Sequence, residues 1–160
     1  MPRRASRGFT VAELITVVAI VGILASVAIP VMTFGIRRQK EVELHERLRR
    51  ITEAIDRYHE LRTTPPPNGI KEPPSISQRE WPKDLESLTK PIELGNSKMV
   101  RLLRERDLID PMTGKKEWRM LSDNDEPDAQ GTTSNPDNVF EVHSTSTALA
   151  LDGKTHYNEW

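Results

Sequence analysis

Arg7-Gly8-Phe9-Thr10-Val11-Ala12-Glu13-Leu14 opens a run in which Glu13 is the only formally charged side chain between positions 9 and 34. At about 1.5 Å per residue these positions make roughly 39 Å of helix, more than the roughly 30 Å of hydrocarbon in a bilayer. The run is long enough to span. A secretory signal has a shorter apolar stretch with a small-residue cleavage site beyond it. Here the stretch leads without a break into a helix-forming sequence, which predicts a retained anchor. Arg3, Arg4 and Arg7 precede it, so the positive-inside tendency places residues 1–8 in the cytoplasm and the remainder across the membrane. Arg37, Arg38 and Lys40 on the far flank oppose that orientation without reversing it.

Glu13 needs a compensating group, because an acidic residue in a spanning helix costs about 2.5–3.5 kcal/mol at the centre and less near an end. A cut between Gly8 and Phe9 would create an α-ammonium on Phe9, four residues before Glu13 and on the same helix face. Between neighbouring chains packed side by side, that pair would neutralise two charges in lipid and fix the axial register of one helix against the next. The competing reading is an uncleaved anchor whose Glu13 snorkels to the interface.

Gly8, Phe9, Glu13, the apolar run and Pro30 together resemble the class III leader and N-terminal helix of type IV pilins and type II secretion pseudopilins, over residues 7–31. The resemblance implies that a prepilin peptidase cuts after Gly8 and methylates the new N-terminal Phe9. It gives Glu13 a part in subunit recruitment and filament assembly. It also puts Pro30 where the packed N-terminal helix of pilin-like filaments loses regularity. From the residues themselves, Pro30 cannot donate to the Ser26 carbonyl, so a kink or local melting is expected there. Ala19, Gly22, Ala25 and Ser26 supply the small side chains that allow close packing in lipid, although ordinary membrane-helix composition accounts for them equally well.

Past the anchor, Leu44, Leu48, Ile51, Ile55 and Tyr58 recur at helical spacing and lay one apolar stripe along an amphipathic helix reaching about Leu61. Glu43, Glu46 and Glu53 each stand four residues before an arginine (Arg47, Arg50, Arg57), the favourable order for helix ion pairs. The stripe is read as the surface that docks an outer sheet, with a coiled-coil partner as the alternative. Residues 63–78 hold five prolines and one glycine and cannot continue any helix. Short helices are expected at residues 81–88, burying Leu85 and Leu88, and at about 98–106, with Val100 and Leu103 on one face. A turn at Asp110-Pro111-Met112-Thr113-Gly114 should then lead into a strand at about 116–121. Further strands are expected at 139–144 and 148–151, the last turning at Asp152-Gly153 into 154–157.

The predicted fold is thus α+β and pilin-like, a long N-terminal helix packed on a small C-terminal antiparallel sheet. Its divisions are a leader (1–8), a transmembrane half (9–34) and an amphipathic half (35–62) of the helix, and a periplasmic globular region (63–160). With 160 residues and 36 % hydrophobic content, much of it in the anchor, the outer region must be polar with a thin core. The net charge of −1 becomes −4 when residues 1–8, with their three arginines, are removed, so no nucleic-acid partner is indicated. Cysteine is absent, so no disulfide stabilises the outer region.

Within the resemblance, type IVa major pilins usually close their C-terminal region with a disulfide and G-type pseudopilins generally do not. The latter also carry an Asp-Pro turn with a nearby glycine and an aromatic-bearing strand, an order that Asp110, Pro111, Gly114 and Trp118 reproduce. The resemblance therefore points to a structural subunit of a type II secretion pseudopilus. It polymerises with itself and with other pseudopilins from an inner-membrane assembly platform. A surface pilin for adhesion, motility or DNA uptake is the first alternative, and an anchored periplasmic binding module the second.

Calcium is the one cofactor the residues suggest. The acidic run around Asp125 offers hard oxygen ligands but does not match the 12-residue EF-hand pattern, and a solvated loop competes with it. G-type pseudopilins bind calcium in a glycine-rich acidic loop near the C-terminus, of which only Asp152 has a counterpart in this chain. An enzyme is not indicated. His45, His59, His143 and His156 lack metal-ligand spacing, no phosphate-binding glycine loop or Gly-x-Ser-x-Gly elbow occurs, and the hydroxyls of residues 144–147 have no evident base.

Overall fold

A single helix, α1 (Val11–Thr63), carries both the apolar run and the amphipathic stripe. The computed structural model describes residues 8–71, 80–126 and 138–160. The leader arginines, the second half of the proline-rich connector and most of the acidic loop lie outside the described residues. Two units are distinguished, Met1–Gln39 and Lys40–Trp160.

In the first unit the large apolar side chains between positions 11 and 36 are exposed on every side of the helix. This stretch is long and apolar enough to cross a membrane. The helix runs unbroken through Pro30, so the local melting expected there does not occur. A lone proline deletes one rung of the ladder and leaves the rungs before and after it in place.

The second unit is organised by the stripe. Leu44, Ile51 and Ile55 are fully buried, Leu48 and Tyr58 half-buried against them, and Ala54 and Leu61 complete the inward face. Opposite them stand Leu85, Leu88, Leu103, Leu108, Trp118, Val142 and Tyr157. The expected ion pairs form at Glu43–Arg47 (3.0 Å) and Glu46–Arg50 (2.6 Å). The third does not: Glu53 turns back to Arg49 at 3.5 Å and Arg57 pairs with Glu60. Both alternatives are also within one helical turn, and the preference of order that favours Arg57 is worth only about a few tenths of a kcal/mol, too little to hold Glu53 once Arg57 pairs with Glu60.

Among the described residues four short strands form two separate antiparallel pairs rather than one sheet. β1 (Ile92–Glu93) pairs with β2 (Met99–Val100), and β3 (Trp118–Leu121) with β4 (Glu141–Ser144) in the register Trp118↔Ser144 and Leu121↔Glu141. The predicted strands at 148–151 and 154–157 shrink to one bridge, Leu149↔His156, followed by a 3-10 turn at Tyr157–Glu159. Their turn is nonetheless where expected, with Gly153 at φ 68°.

Two predicted helices are absent. Residues 81–86 are irregular and only Ser87–Thr89 form a 3-10 turn. Across 98–106 the chain is strand β2, an extended segment, and the start of a 3-10 turn at Glu105–Leu108. Leu85, Leu88 and Leu103 are buried as expected, and Val100 half-buried. Their backbone, however, bonds across the unit: Leu103 N–H donates to the Leu88 carbonyl at 3.0 Å, and Val100 pairs with Ile92. The connector folds back on the helix end, where Ile70 N–H donates to the Leu61 carbonyl (3.0 Å). A Cβ on Gly69 would fall 1.7 Å from the Thr64 carbonyl oxygen.

Polar anchors hold this thin core in place. The Asp110 turn closes through Gly114 N–H to the Asp110 carbonyl (2.7 Å), with Gly114 at φ 72°. The buried Asp110 carboxylate accepts from Met112 N–H and from the Ser144 hydroxyl on β4, each at 2.7 Å. Trp118 Nε1 donates to the Leu108 carbonyl at 2.7 Å. Buried Asp107 receives Arg47 (2.6 Å) and Arg50 (3.0 Å) from α1. Its hydrogen bond, with the nearby Glu46 carboxylate second, holds the Arg50 guanidinium above its usual range. Glu41 accepts from Leu151 N–H (2.7 Å) and Tyr157 O–H (2.9 Å), and His45 stacks on Trp160 at 4.2 Å.

Because Ile51 is fully buried at the centre of the stripe, Ile51→Ala should destabilise the second unit by about 2–5 kcal/mol. Val42→Ala on the exposed face should stay within about 0.5 kcal/mol of the parent. Urea unfolding of the detergent-solubilised chain, followed by tryptophan fluorescence, measures both.

Candidate assembly site

The helix begins at a reciprocal cap. Thr10 N–H and the Thr10 hydroxyl both donate to Glu13 Oε2, at 3.0 and 2.9 Å, and Glu13 N–H lies 3.3 Å from the Thr10 hydroxyl oxygen. Leu14 N–H makes the first full helical bond, to the Thr10 carbonyl at 3.2 Å. This is a capping box, in which two otherwise unpaired first-turn donors are satisfied by one threonine and one glutamate. Glu13 therefore has a partner within its own chain that the reading of its charge alone missed. The signal was present as Thr10-x-x-Glu13 immediately ahead of an apolar run. Both donors converge on Oε2, so among the described residues Glu13 Oε1 receives no donor.

Gly8 and Phe9 precede the cap in the open. No atom lies within 4 Å of a Cβ built on Gly8, and Phe9 is 84 % exposed. The bond between them is free of steric cover from the described residues. Farther along, the hydroxyls inside the apolar stretch are satisfied by their own helix. Thr16 Oγ1 donates to the Ala12 carbonyl (2.8 Å) and Ser26 Oγ to that of Ile23 (2.7 Å). Such internal bonding is what a polar side chain in hydrocarbon requires. Gly22 has open space around it. Pro30 sits within the unbroken helix.

Residues 3–29 match the prokaryotic N-terminal methylation motif. The motif thus runs from the basic tail through Gly8, Phe9, the Thr10–Glu13 cap and most of the apolar stretch. It is the motif of prepilin-like chains, and the apolar helix it contains fits a single-pass membrane anchor. Neither the curated proteins nor the solved structures yielded a significant match to the chain.

The two candidate calcium ligands belong to the second unit and are each engaged locally. Asp152 Oδ1 accepts from Lys154 and Thr155 N–H, at 2.9 and 3.1 Å, and Oδ2 from the Thr155 hydroxyl at 2.8 Å. Asp125 Oδ2 accepts from Ser122 N–H at 2.8 Å. Among the described residues no three His, Cys, Asp or Glu side chains are grouped to hold a metal ion.

The capping box yields a local prediction. Thr10→Ala should destabilise the first helical turn by about 0.5–2 kcal/mol, read as roughly 2- to 30-fold faster hydrogen exchange at the Glu13 and Leu14 amides, which Thr10 holds. Exchange at Thr64, at the far end of α1, should not change.

The Asp152 turn yields a second. Hydrogen bonds from the Lys154 and Thr155 amides, then the Thr155 hydroxyl, hold the Asp152 carboxyl below its ordinary range. A carboxyl depressed by folding contributes stability above its unfolded pKa of about 3.9 and loses it as pH falls through the lower folded value. NMR titration should therefore give Asp152 a midpoint below about 3.9, moving up toward that value in Thr155→Val.

Proposed function

We propose that this chain is a structural subunit of a pilin-like filament, of the kind that forms the type II secretion pseudopilus. The observation that carries the reading is the methylation motif over residues 3–29 leading into a helix able to span a membrane. In this reading a prepilin peptidase cuts after Gly8, Phe9 becomes the methylated N-terminus, and Lys40–Trp160 lies on the periplasmic side of the inner membrane. The cap residues Thr10 and Glu13 both survive such a cut. Glu13 Oε1, which Thr10 leaves without a donor, is the acceptor for the α-ammonium of a neighbouring chain. Pro30 and the small residues near it serve close packing of the helices in the filament. Other pseudopilins and an inner-membrane assembly platform are the expected partners.

Secretion is favoured over a surface fibre by the absence of cysteine and by the Asp110–Gly114 turn feeding the Trp118 strand. The hub in which Asp110 ties that turn to Ser144 gives the C-terminal region a cross-link where a disulfide is lacking.

Intact mass and N-terminal sequencing of the chain recovered from membranes should show a start at Phe9 and one added methyl group. A free Met1, or an unmodified start elsewhere, removes the reading. Glu13→Leu should abolish filament assembly while the amount of membrane-bound chain stays at the parent level. Filaments undiminished by that substitution would remove Glu13 from assembly, and a parent chain that forms no filaments would leave only an anchored, non-polymerising protein.

A further inference from the structure

A groove of about 750 Å³ lies between α1 and the segment following β2, and its walls are dominated by arginine: Arg50 and Arg57 from the helix, Arg101, Arg104 and Arg106 from the segment. The acidic residues on the same walls are already neutralised. Glu53 pairs with Arg49 at 3.5 Å, and Asp107 is held by both Arg47 and Arg50. Arg50 is further engaged by Glu46, and Arg57 by Glu60. Arg101, Arg104 and Arg106 are exposed, and among the described residues their side chains make no hydrogen bond or ion pair. Leu103 is drawn into the core, its N–H held by the Leu88 carbonyl, and Leu102 packs against that core, while Arg101, Arg104 and Arg106 stay exposed. Three uncompensated guanidinium groups on one concave surface call for carboxylates, which arginine binds in a planar, two-pronged geometry.

The same chain presents such carboxylates elsewhere. Past the end of β3, Asp123 and Glu126 are exposed on a turn closed by Asp125 N–H to the Ser122 carbonyl (3.1 Å) and by Ser122 N–H to Asp125 Oδ2 (2.8 Å). Asn138 Nδ2 donates to Asp123 Oδ1 at 2.5 Å and holds the turn from the other side. Glu126 has no partner among the described residues. The groove and the acidic turn flank opposite ends of β3. Trp118, at one end, is bonded to Leu108 beside the groove segment, and Leu121, at the other, leads into the turn. The four-residue strand itself is about 10 Å long.

We infer that the arginine groove of one copy receives the acidic turn around Glu126 of the next copy of this chain. The inference rests on the filament reading above. In a filament the positive site of one copy meets the negative site of the next head-to-tail, a heterologous contact that propagates as an open chain where its rotation does not close. The net charge of −4 that remains after a cut behind Gly8 is modest, and its sign gives no general field that would draw a polyanion such as nucleic acid instead.

Natural cysteine is absent, so the contact can be tested by disulfide capture in the full-length chain. Arg104→Cys in one tagged copy and Glu126→Cys in a second, co-expressed and oxidised in the membrane, should give a reducible mixed dimer, since a disulfide needs Cα atoms within about 7 Å. That dimer should vanish when both copies also carry Glu13→Leu. Arg101→Glu with Arg104→Glu should cut the yield of sedimentable filaments roughly tenfold or more, and adding Glu126→Arg should restore it. Filaments at parent yield with no mixed dimer would overturn the groove contact and leave the filament reading standing. So would a loss of filaments that Glu126→Arg fails to rescue, which would assign the groove to another anionic partner. Capture of Arg104→Cys only with itself would replace the open contact by a two-fold one and overturn the inference. Absence of filaments from the parent chain would instead defeat the filament reading, and this inference with it.

Discussion

One helix must satisfy two solvents, and the rest of the chain is arranged around that constraint. From Val11 to the region of Ile36, α1 is apolar on every side, as a segment surrounded by lipid or by sister helices has to be. From Leu44 onward it is apolar on one side only, and that side supplies Leu44, Ile51, Ala54 and Ile55 to the core of the second unit. Among the described residues no strand in that unit exceeds four residues. Pairs of such length do not stand alone in water, so β3 and β4 depend on the helix face beneath Trp118 and Val142.

A core this thin explains why so many polar side chains in the second unit carry structural duties. Glu41, Arg47 and Arg50 reach off the helix to fix two segments: Glu41 the stretch from Leu151 to Tyr157, the two arginines the turn at Asp107. Asp110 does the same between its own turn and β4. Buried carboxylates are costly unless fully partnered, and Asp107 and Asp110 are each met by at least two donors. Without cysteine, these charge-assisted bonds are what tie the irregular segments to one another and to α1.

What could be read from the sequence divides along the same line. The stripe of α1 was legible because helical periodicity persists over several turns, long enough to exclude a strand. The turns at Asp110–Gly114 and Asp152-Gly153 were legible because their chemistry is local, an Asx side chain followed by a glycine that adopts positive φ. The segments around Leu85–Leu88 and Val100–Leu103 were misread as helices. Leucines three residues apart suit a helix, but they suit equally a turn whose side chains are swallowed by someone else's core. The deciding bonds, Leu103 to Leu88 and Val100 to Ile92, join residues that only tertiary packing brings together. At the N-terminus the miss was of another kind. The whole capping box was visible, yet the question put to Glu13 was where its charge goes, and Thr10 answers a different one, namely which donors the helix start must satisfy.

Those two questions meet at a single carboxylate. Oε2 is committed to the helix start, and through it the carboxylate plane is oriented before any second chain arrives. An unconstrained glutamate would lose rotamer freedom on pairing with a cation from a neighbour, a cost that can reach about 1.5–2 kcal/mol for a long polar side chain. A glutamate already held by its own cap has given up most of that freedom, so more of the attraction between the two charges remains to favour association. The cap is made by residues that a cut after Gly8 would leave in place. An acid that is expensive in an apolar helix is thereby placed where helix geometry already restrains it, with one oxygen bonded at the helix start and the other, without a donor among the described residues, available to the contact proposed above.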